Sequence, residues 1–199
     1  MTPVKSPPRY APKRRPLRAD AARNRAKVVA AAAEVFGQAG IDASIIDVAE
    51  RAGVGKATIY RSFPSKEHLM CAVACERLAR FQRLAQAALR ETDAWAAFCE
   101  LLAAMAETQA SDRILVEALA SACELPELTT ARQATLAAVG KVMRKAQRQG
   151  SMRADATVQD LRILFAGAAH MLNQAGEHDA AVWRRYGSLI AAGLRRPSP

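Results

Sequence analysis

The chain has 199 residues, of which 51% are apolar and only 5% aromatic, and it carries a formal net charge of +10. Half-apolar composition supports a real core and excludes wholesale disorder. Alanine dominates, and alanine is the strongest helix former whereas strands favour β-branched and aromatic residues, so the fold class expected is all-α.

The charge is unevenly placed. Residues 1–66 hold 13 Lys/Arg against 5 Asp/Glu, whereas residues 67–199 hold 16 against 14. A basic module on a nearly neutral body suits a polyanionic partner such as DNA, RNA or an anionic membrane surface. No run of about 20 uncharged apolar residues occurs, so no membrane span is expected. The basic N-terminus is followed by prolines and charges rather than by the apolar stretch of a secretory signal. The four cysteines, Cys71, Cys75, Cys99 and Cys123, form no CxxC pair and no zinc-finger spacing with histidine. The expectation is a cytoplasmic protein with reduced thiols, no cofactor and no metal.

Residues 1–19 combine five prolines with six Lys/Arg side chains and read as a disordered basic arm, free to follow phosphates or to do nothing specific. From Asp20 the spacing of Ala22, Ala26, Val29, Ala30, Ala33 and Phe36 predicts a helix over 20–39, with Gly40 as its C-cap. Arg23, Arg25 and Lys27 lie near its start. Ser44-Ile45-Ile46-Asp47 has the form of a capping box, so a second helix should start there and run to Gly53. A short helix follows from Lys56 to Phe63, where Pro64 stops it. Ser65 can cap a long helix over 66–90. Further helices are predicted at 92–109, 111–122, 126–149, 156–175 and 178–194.

Between Asp47 and Phe63 the pattern has helix-turn-helix logic. Ala49 is small where a second helix must cross, Gly53 stands at the turn, and Ile59 can pack back onto Val48 and Ala52. The second helix of such a hairpin enters the major groove.

The run Gly40-Ile41-Asp42-Ala43-Ser44, Ile46, Val48-Ala49, Ala52 through Glu67 and Leu69 resembles the DNA-binding domain of TetR-type regulators. The likeness covers about residues 23–69, and beyond them only the helical organisation matches. It implies a dimeric regulator, a repressor by family default, that binds a palindromic double-stranded operator and responds to a small-molecule effector. The implied domains are a helix-turn-helix unit at 20–66 and a helical ligand-binding and dimerisation domain at 67–199. By resemblance Ser44 and Lys66 contact phosphates, Lys56, Ala57, Thr58 and Arg61 face the groove, and Tyr60 reaches a phosphate or base edge. Arg25 joins these DNA-contact candidates. Arg61 has the planar fork that reads guanine, and Lys66 adds charge beside helix amides suited to an anion. Three positions depart from the family pattern: Ser44 replaces a common threonine, Ser62 a usual His or Tyr, and Gly55 a frequent serine, which weakens the cap of the reading helix.

In the body, Trp95, Phe98, Leu102 and Met105 form one apolar stripe. That stripe is either ordinary core or, by resemblance, part of an effector cavity with Trp95, Phe98, Met105 and Cys123 as lining candidates. His170, with Asn173 and Gln174 nearby, either hydrogen-bonds a ligand or is a satisfied core or interface histidine. The last two helices are apolar on more than one face. A terminal helix of that kind is buried twice, and a symmetric partner is the simplest second cover. Leu161, Leu164, Phe165, Ala168, Leu172, Trp183, Tyr186 and Ile190 are the interface candidates. Cys71 and Cys75 share a face at i, i+4, either as a redox pair or as small buried apolar residues. An enzyme finds no support, because the three histidines join no nucleophile motif and no phosphate-binding glycine loop occurs. A membrane-surface or RNA-binding module using the basic arm is the remaining alternative.

Overall fold

The structure, a computed structural model, describes residues 14–40, 42–111 and 125–197, with side chains from residue 20 onward. Within them the chain forms eight helices: α1 (Arg14–Ala39), α2 (Ile45–Ala52), α3 (Lys56–Ser62), α4 (Lys66–Ala88), α5 (Ala94–Ser111), α6 (Pro126–Arg148), α7 (Val158–Gln174) and α8 (Ala180–Leu194). The all-α expectation holds. Most of the expected 111–122 helix, and Cys123, lie outside the described residues. So do residues 1–13 of the expected arm. The rest of that arm is a correction: residues 14–19 already belong to α1, because Pro16 falls in a first turn whose amides need no helical partner.

Local chemistry explains the boundaries. Ser44 and Asp47 exchange hydrogen bonds as a capping box: the Asp47 amide donates to Ser44 Oγ (3.1 Å) and the Ser44 amide to Asp47 Oδ2 (3.0 Å). α2 ends at Gly53, whose φ of +65° is the left-handed conformation that glycine alone adopts cheaply. Gly55 gives α3 no side-chain cap, as its lack of a hydroxyl dictates. Asp93 Oδ1 accepts the amides of Trp95 (2.9 Å) and Ala96 (3.0 Å) at the start of α5. Thr157 and Asp160 repeat the capping box at α7.

Two main cores result. Phe36 of α1, Val48 and Ala49 of α2, Ile59 of α3, Phe63, and Leu69 and Val73 of α4 form the core of the N-terminal helices. Phe98, Leu101 and Leu102 of α5 meet Val142 and Met143 of α6, Leu161 of α7 and Leu194 of α8 in the larger one. Between them Cys71, Ala74, Leu78 and Phe81 of α4 pack with Leu128 of α6. α4 therefore contributes to both ends, and its opening turns are shared between the N-terminal core and the cluster that includes Leu128. α5 and α8 approach closely at Gly187, where an added Cβ would stand 3.4 Å from Ala106 Cβ and 3.6 Å from the Leu102 carbonyl oxygen.

Candidate nucleic-acid interface

The α2–α3 hairpin is built so that one side of α3 is internal and the rest is not. Ile59, only 1% exposed, drives into the core beside Val48. The residues around it on the 3.6-residue cycle are then turned outward. Lys56, Ala57, Tyr60 and Arg61 are exposed and Thr58 is half-buried. The packed-inward arrangement that would remove these side chains from any partner does not occur.

The cations around α3 are held differently. Lys56 lies with its Nζ 5.9 Å from the Tyr60 ring centroid on its own helix. The Lys66 Nζ sits 5.5 Å over the Phe36 ring at the first turn of α4. Arg51 of α2 pairs with Glu34 of α1, its Nε donating at 2.6 Å. Arg25, grouped by sequence with the DNA contacts, is tied into the protein. Its Nη1 donates to the Ser62 carbonyl (3.0 Å), and its guanidinium carbon lies 4.2 Å from the Phe63 ring centroid. It thereby fastens α1 to the C-terminal end of α3, a link across 37 residues that no local pattern shows. Ser65 also departs from expectation. It occupies the N-cap of α4, but its hydroxyl meets His68 Nδ1 at 2.9 Å instead of capping a backbone amide. A hydrogen bond from Ser65, foremost, holds the Glu67 carboxyl below the usual range.

Ile46, half-exposed on the outer side of the first turn of α2, is an apolar residue that the DNA-contact candidates omitted. Its signal was present in the capping box: with Ile45 buried, the adjacent position points some 100° away around the helix.

In the body the effector candidates divide. Trp95 and Phe98 are tilted against each other with centroids 5.8 Å apart, and both pack in the large core, which Met105 also borders. Arg195 covers Trp95 with its guanidinium carbon 5.5 Å from the ring centroid. His170 and Gln174 are exposed on α7 and join no such cluster, so His170 is not a core histidine. A groove of about 490 Å³ lies elsewhere, between the end of α4 and the start of α5, lined by Leu84, Ala88, Ala97 and Leu101 with the exposed carboxylates Glu91 and Glu100. None of the five candidates among the described residues lines it.

The interface candidates divide as well. Leu161, Leu172 and Trp183 are buried within the chain's own cores, a correction to their placement on an outer face. Trp183 also donates its indole N–H to the Glu177 carbonyl (3.0 Å). Phe165, Ala168 and Ile190 are half-buried. Leu164 and Tyr186 are exposed, together with Ile163 (60%), Met171 (66%) and Leu189 (54%), which the candidates omitted. These five are the exposed large apolar side chains of α7 and α8. No helix among the described residues is long and apolar enough to cross a membrane.

Comparison with known proteins follows the same two halves. Residues 28–73 match the model of bacterial regulatory proteins of the tetR family. Residues 93–196 match a C-terminal domain described as transcriptional regulator SbtR-like. Among solved structures, a TetR transcription regulatory protein from Mycobacterium vanbaalenii is 35% identical, covers 91% of this chain and 100% of its own, and superposes with a TM-score of 0.67. A TetR transcriptional regulator from Streptomyces coelicolor is 28% identical over 87% of this chain and 99% of its own, with a TM-score of 0.67. The fold is also that of the regulator FadR from Bacillus subtilis in complex with stearoyl-CoA, at 16% identity, 85% and 98% coverage and a TM-score of 0.64. No curated protein matches the chain.

Proposed function

The chain belongs to the TetR family of bacterial regulatory proteins, and we propose that it acts as a repressor that leaves a palindromic operator when a small molecule binds its C-terminal helices. The observation that carries the DNA half is the seating of α3: Ile59 anchors the helix inward while Lys56, Thr58, Tyr60 and Arg61 line its outward surface. Arg61 reads a guanine edge through its two-pronged donor face, and Ala57 and Thr58 give the close apolar and hydroxyl contacts that base edges accept. Ser44 and Lys66 take phosphates on either side, and Tyr60 adds its hydroxyl. Ile46 meets the sugar–phosphate wall next to Ser44. Arg25 acts through Ser62 and Phe63, setting the angle at which α3 is offered.

A single reading helix covers too few base pairs for an operator. The apolar face of Ile163, Leu164, Met171, Tyr186 and Leu189 supplies the second copy: two such faces form a four-helix interface, and an isologous pair presents two reading helices about 34–36 Å apart, one turn of DNA. Effector binding moves α4, which reaches both cores, and favours a spacing of the heads that no longer fits. The ligands in two similar folds, stearoyl-CoA in one and resorcinol in another, support a small-molecule effector as a class.

Selection from a random duplex library at two salt concentrations tests the proposal. The expected outcome is enrichment of an inverted repeat with half-sites about 10 base pairs apart, bound with a steep salt dependence. Binding without enrichment, or an enriched site lacking two-fold symmetry, overturns it.

A further inference from the structure

The groove between the end of α4 and the start of α5 has a chemistry unlike the rest of the surface. Leu84, Ala88, Ala97 and Leu101, buried or half-buried, make its floor, and the exposed Glu91, Asp93 and Glu100 stand at its rim. The described residues that line it include three carboxylates and no lysine or arginine. In the whole chain Lys and Arg outnumber Asp and Glu by 29 to 19, so the groove runs against the overall charge.

The neighbouring cations do not offset the rim. Lys145 of α6 donates to the Leu89 carbonyl (3.0 Å) and to the Glu91 carbonyl. Arg195 lies over Trp95, and Arg184 pairs with Glu107. Arg90, next to Glu91 in the chain, does not line the groove. Asp93 is engaged as the cap of α5 through Oδ1, which leaves Glu91 and Glu100 as the carboxylates best placed for a ligand.

Charge names the occupant, and the floor shapes it. The rim attracts a cation and repels an anion. A small hydrated cation gains little at exposed carboxylates, whereas one with an apolar body also covers the floor. No aromatic ring among the described residues lines the groove, so the cage that suits a quaternary ammonium is missing. Carboxylates hold an ammonium with N–H bonds better, through charge-assisted hydrogen bonds. A volume of about 490 Å³ falls in the range that admits a drug-sized molecule.

We propose that the α4–α5 groove binds a protonated amine with an apolar body, its ammonium at the Glu91 and Glu100 rim and its hydrocarbon on Ala88, Ala97 and Leu101. This amine is also the effector of the regulator, an assignment that, unlike the site itself, rests on the DNA-binding reading. α4 links groove and reading helix as one helix from Lys66 to Ala88. Gln82 pins it to α6, its Nε2 donating to Thr135 Oγ1 (3.2 Å) and to the Ala131 carbonyl (3.3 Å). At a rise of 1.5 Å per residue, the arm from Gln82 to Lys66 is about 24 Å and that to Ala88 about 9 Å. A ligand that parts α4 from α5 therefore produces a larger displacement at the turn that bears Lys66.

The probe is n-octylammonium with the full chain, its affinity read by NMR titration below micelle-forming concentrations. It should bind about tenfold more tightly than hexylammonium, as two more methylenes are covered. Octanoate, 1-octanol and octyltrimethylammonium, which lack the charge or the N–H bonds, should each bind about fivefold or more weakly. Glu91→Gln combined with Glu100→Gln should cost octylammonium about fivefold and leave 1-octanol unchanged. Ala87→Phe replaces an exposed alanine of the groove wall; with helicity unchanged, it should block the probe. Equal affinity for octylammonium and any of its three analogues overturns the ligand class. Undiminished binding by Ala87→Phe, or none by the parent, overturns the site. Operator binding without ligand is measured first, and its failure counts against the DNA reading alone. Saturating octylammonium should then lower operator affinity threefold or more in the parent and not in Ala87→Phe; a smaller loss, or an equal one in both, overturns the effector role.

Discussion

The three N-terminal helices and the helices that follow α4 are made from similar material, yet they carry function in opposite ways. In α1–α3 a small core of Phe36, Val48, Ile59 and Phe63 faces one direction, and the proposed DNA contacts of α3 lie outside it or at its edge, at a fixed offset from Ile59. In α5–α8 the same alanines and leucines supply the core, the groove and the exposed face. Function on a polar exterior is separated from stability by chemistry. Function on an apolar surface is separated from stability only by which way a helix is turned. The two regions should therefore respond differently to substitution.

The largest effect is expected where the two roles meet in one residue. Phe63 is fully buried and also carries the Arg25 guanidinium. Phe63→Ala should cost about 3–5 kcal/mol and abolish operator binding, read by denaturant melts alongside a binding assay. A stable protein that still binds DNA would erase the distinction between a core that seats α3 and one that merely fills space.

Next comes a pair within α7. Leu161→Ala, from a buried site, should cost about 2–5 kcal/mol. Leu164→Ser, three residues on and exposed, should leave unfolding of the protomer nearly unchanged and shift sedimentation toward the monomer. Equal stability losses for both would mean that the exposed face is not where the second copy docks.

Arg61→Ala should lose about 1–3 kcal/mol at one operator position and relax base preference there, read from binding to a panel of single-base variants. Arg25→Lys should cost on the order of 1–2 kcal/mol in stability, because lysine keeps the charge but cannot donate to Ser62 and lie flat over Phe63 together. A weakened salt dependence in Arg25→Lys would return Arg25 to the phosphate contacts.

How much was legible in the sequence follows the same division. The Ser44–Asp47 box, the left-handed Gly53 and the inward Ile59 are set by offsets of three to six residues, and such short-range relations survive in a one-dimensional pattern. The start of α1 escapes the pattern because five prolines and six like charges over residues 1–19 argue for a disordered arm, whereas Pro16 in a first turn costs no hydrogen bond. The contacts of Arg25 with Ser62 and Phe63 are invisible in the sequence because these partners are brought close only by folding. In α7 and α8, Leu161, Leu172 and Trp183 were grouped with Leu164 and Tyr186 since all are apolar. What separates them is the rotation of each helix about its axis, about 100° per residue, which the neighbours decide.

The smallest effect is the most diagnostic of how the outer surface divides its work. Lys66 sits in the first turn of α4, beside amides that already favour an anion, with its ammonium over Phe36. Its proposed partner is a phosphate, which is the same for every sequence. Lys66→Ala should then weaken binding to all duplexes by one factor and reduce the slope of log affinity against log salt by about one. Arg61→Ala, by contrast, should change the ranking of sequences more than the slope. If Lys66→Ala instead alters the preferred operator while the slope stays put, Lys66 reads bases, and the boundary between positioning and reading runs through α4 rather than along the outer surface of α3.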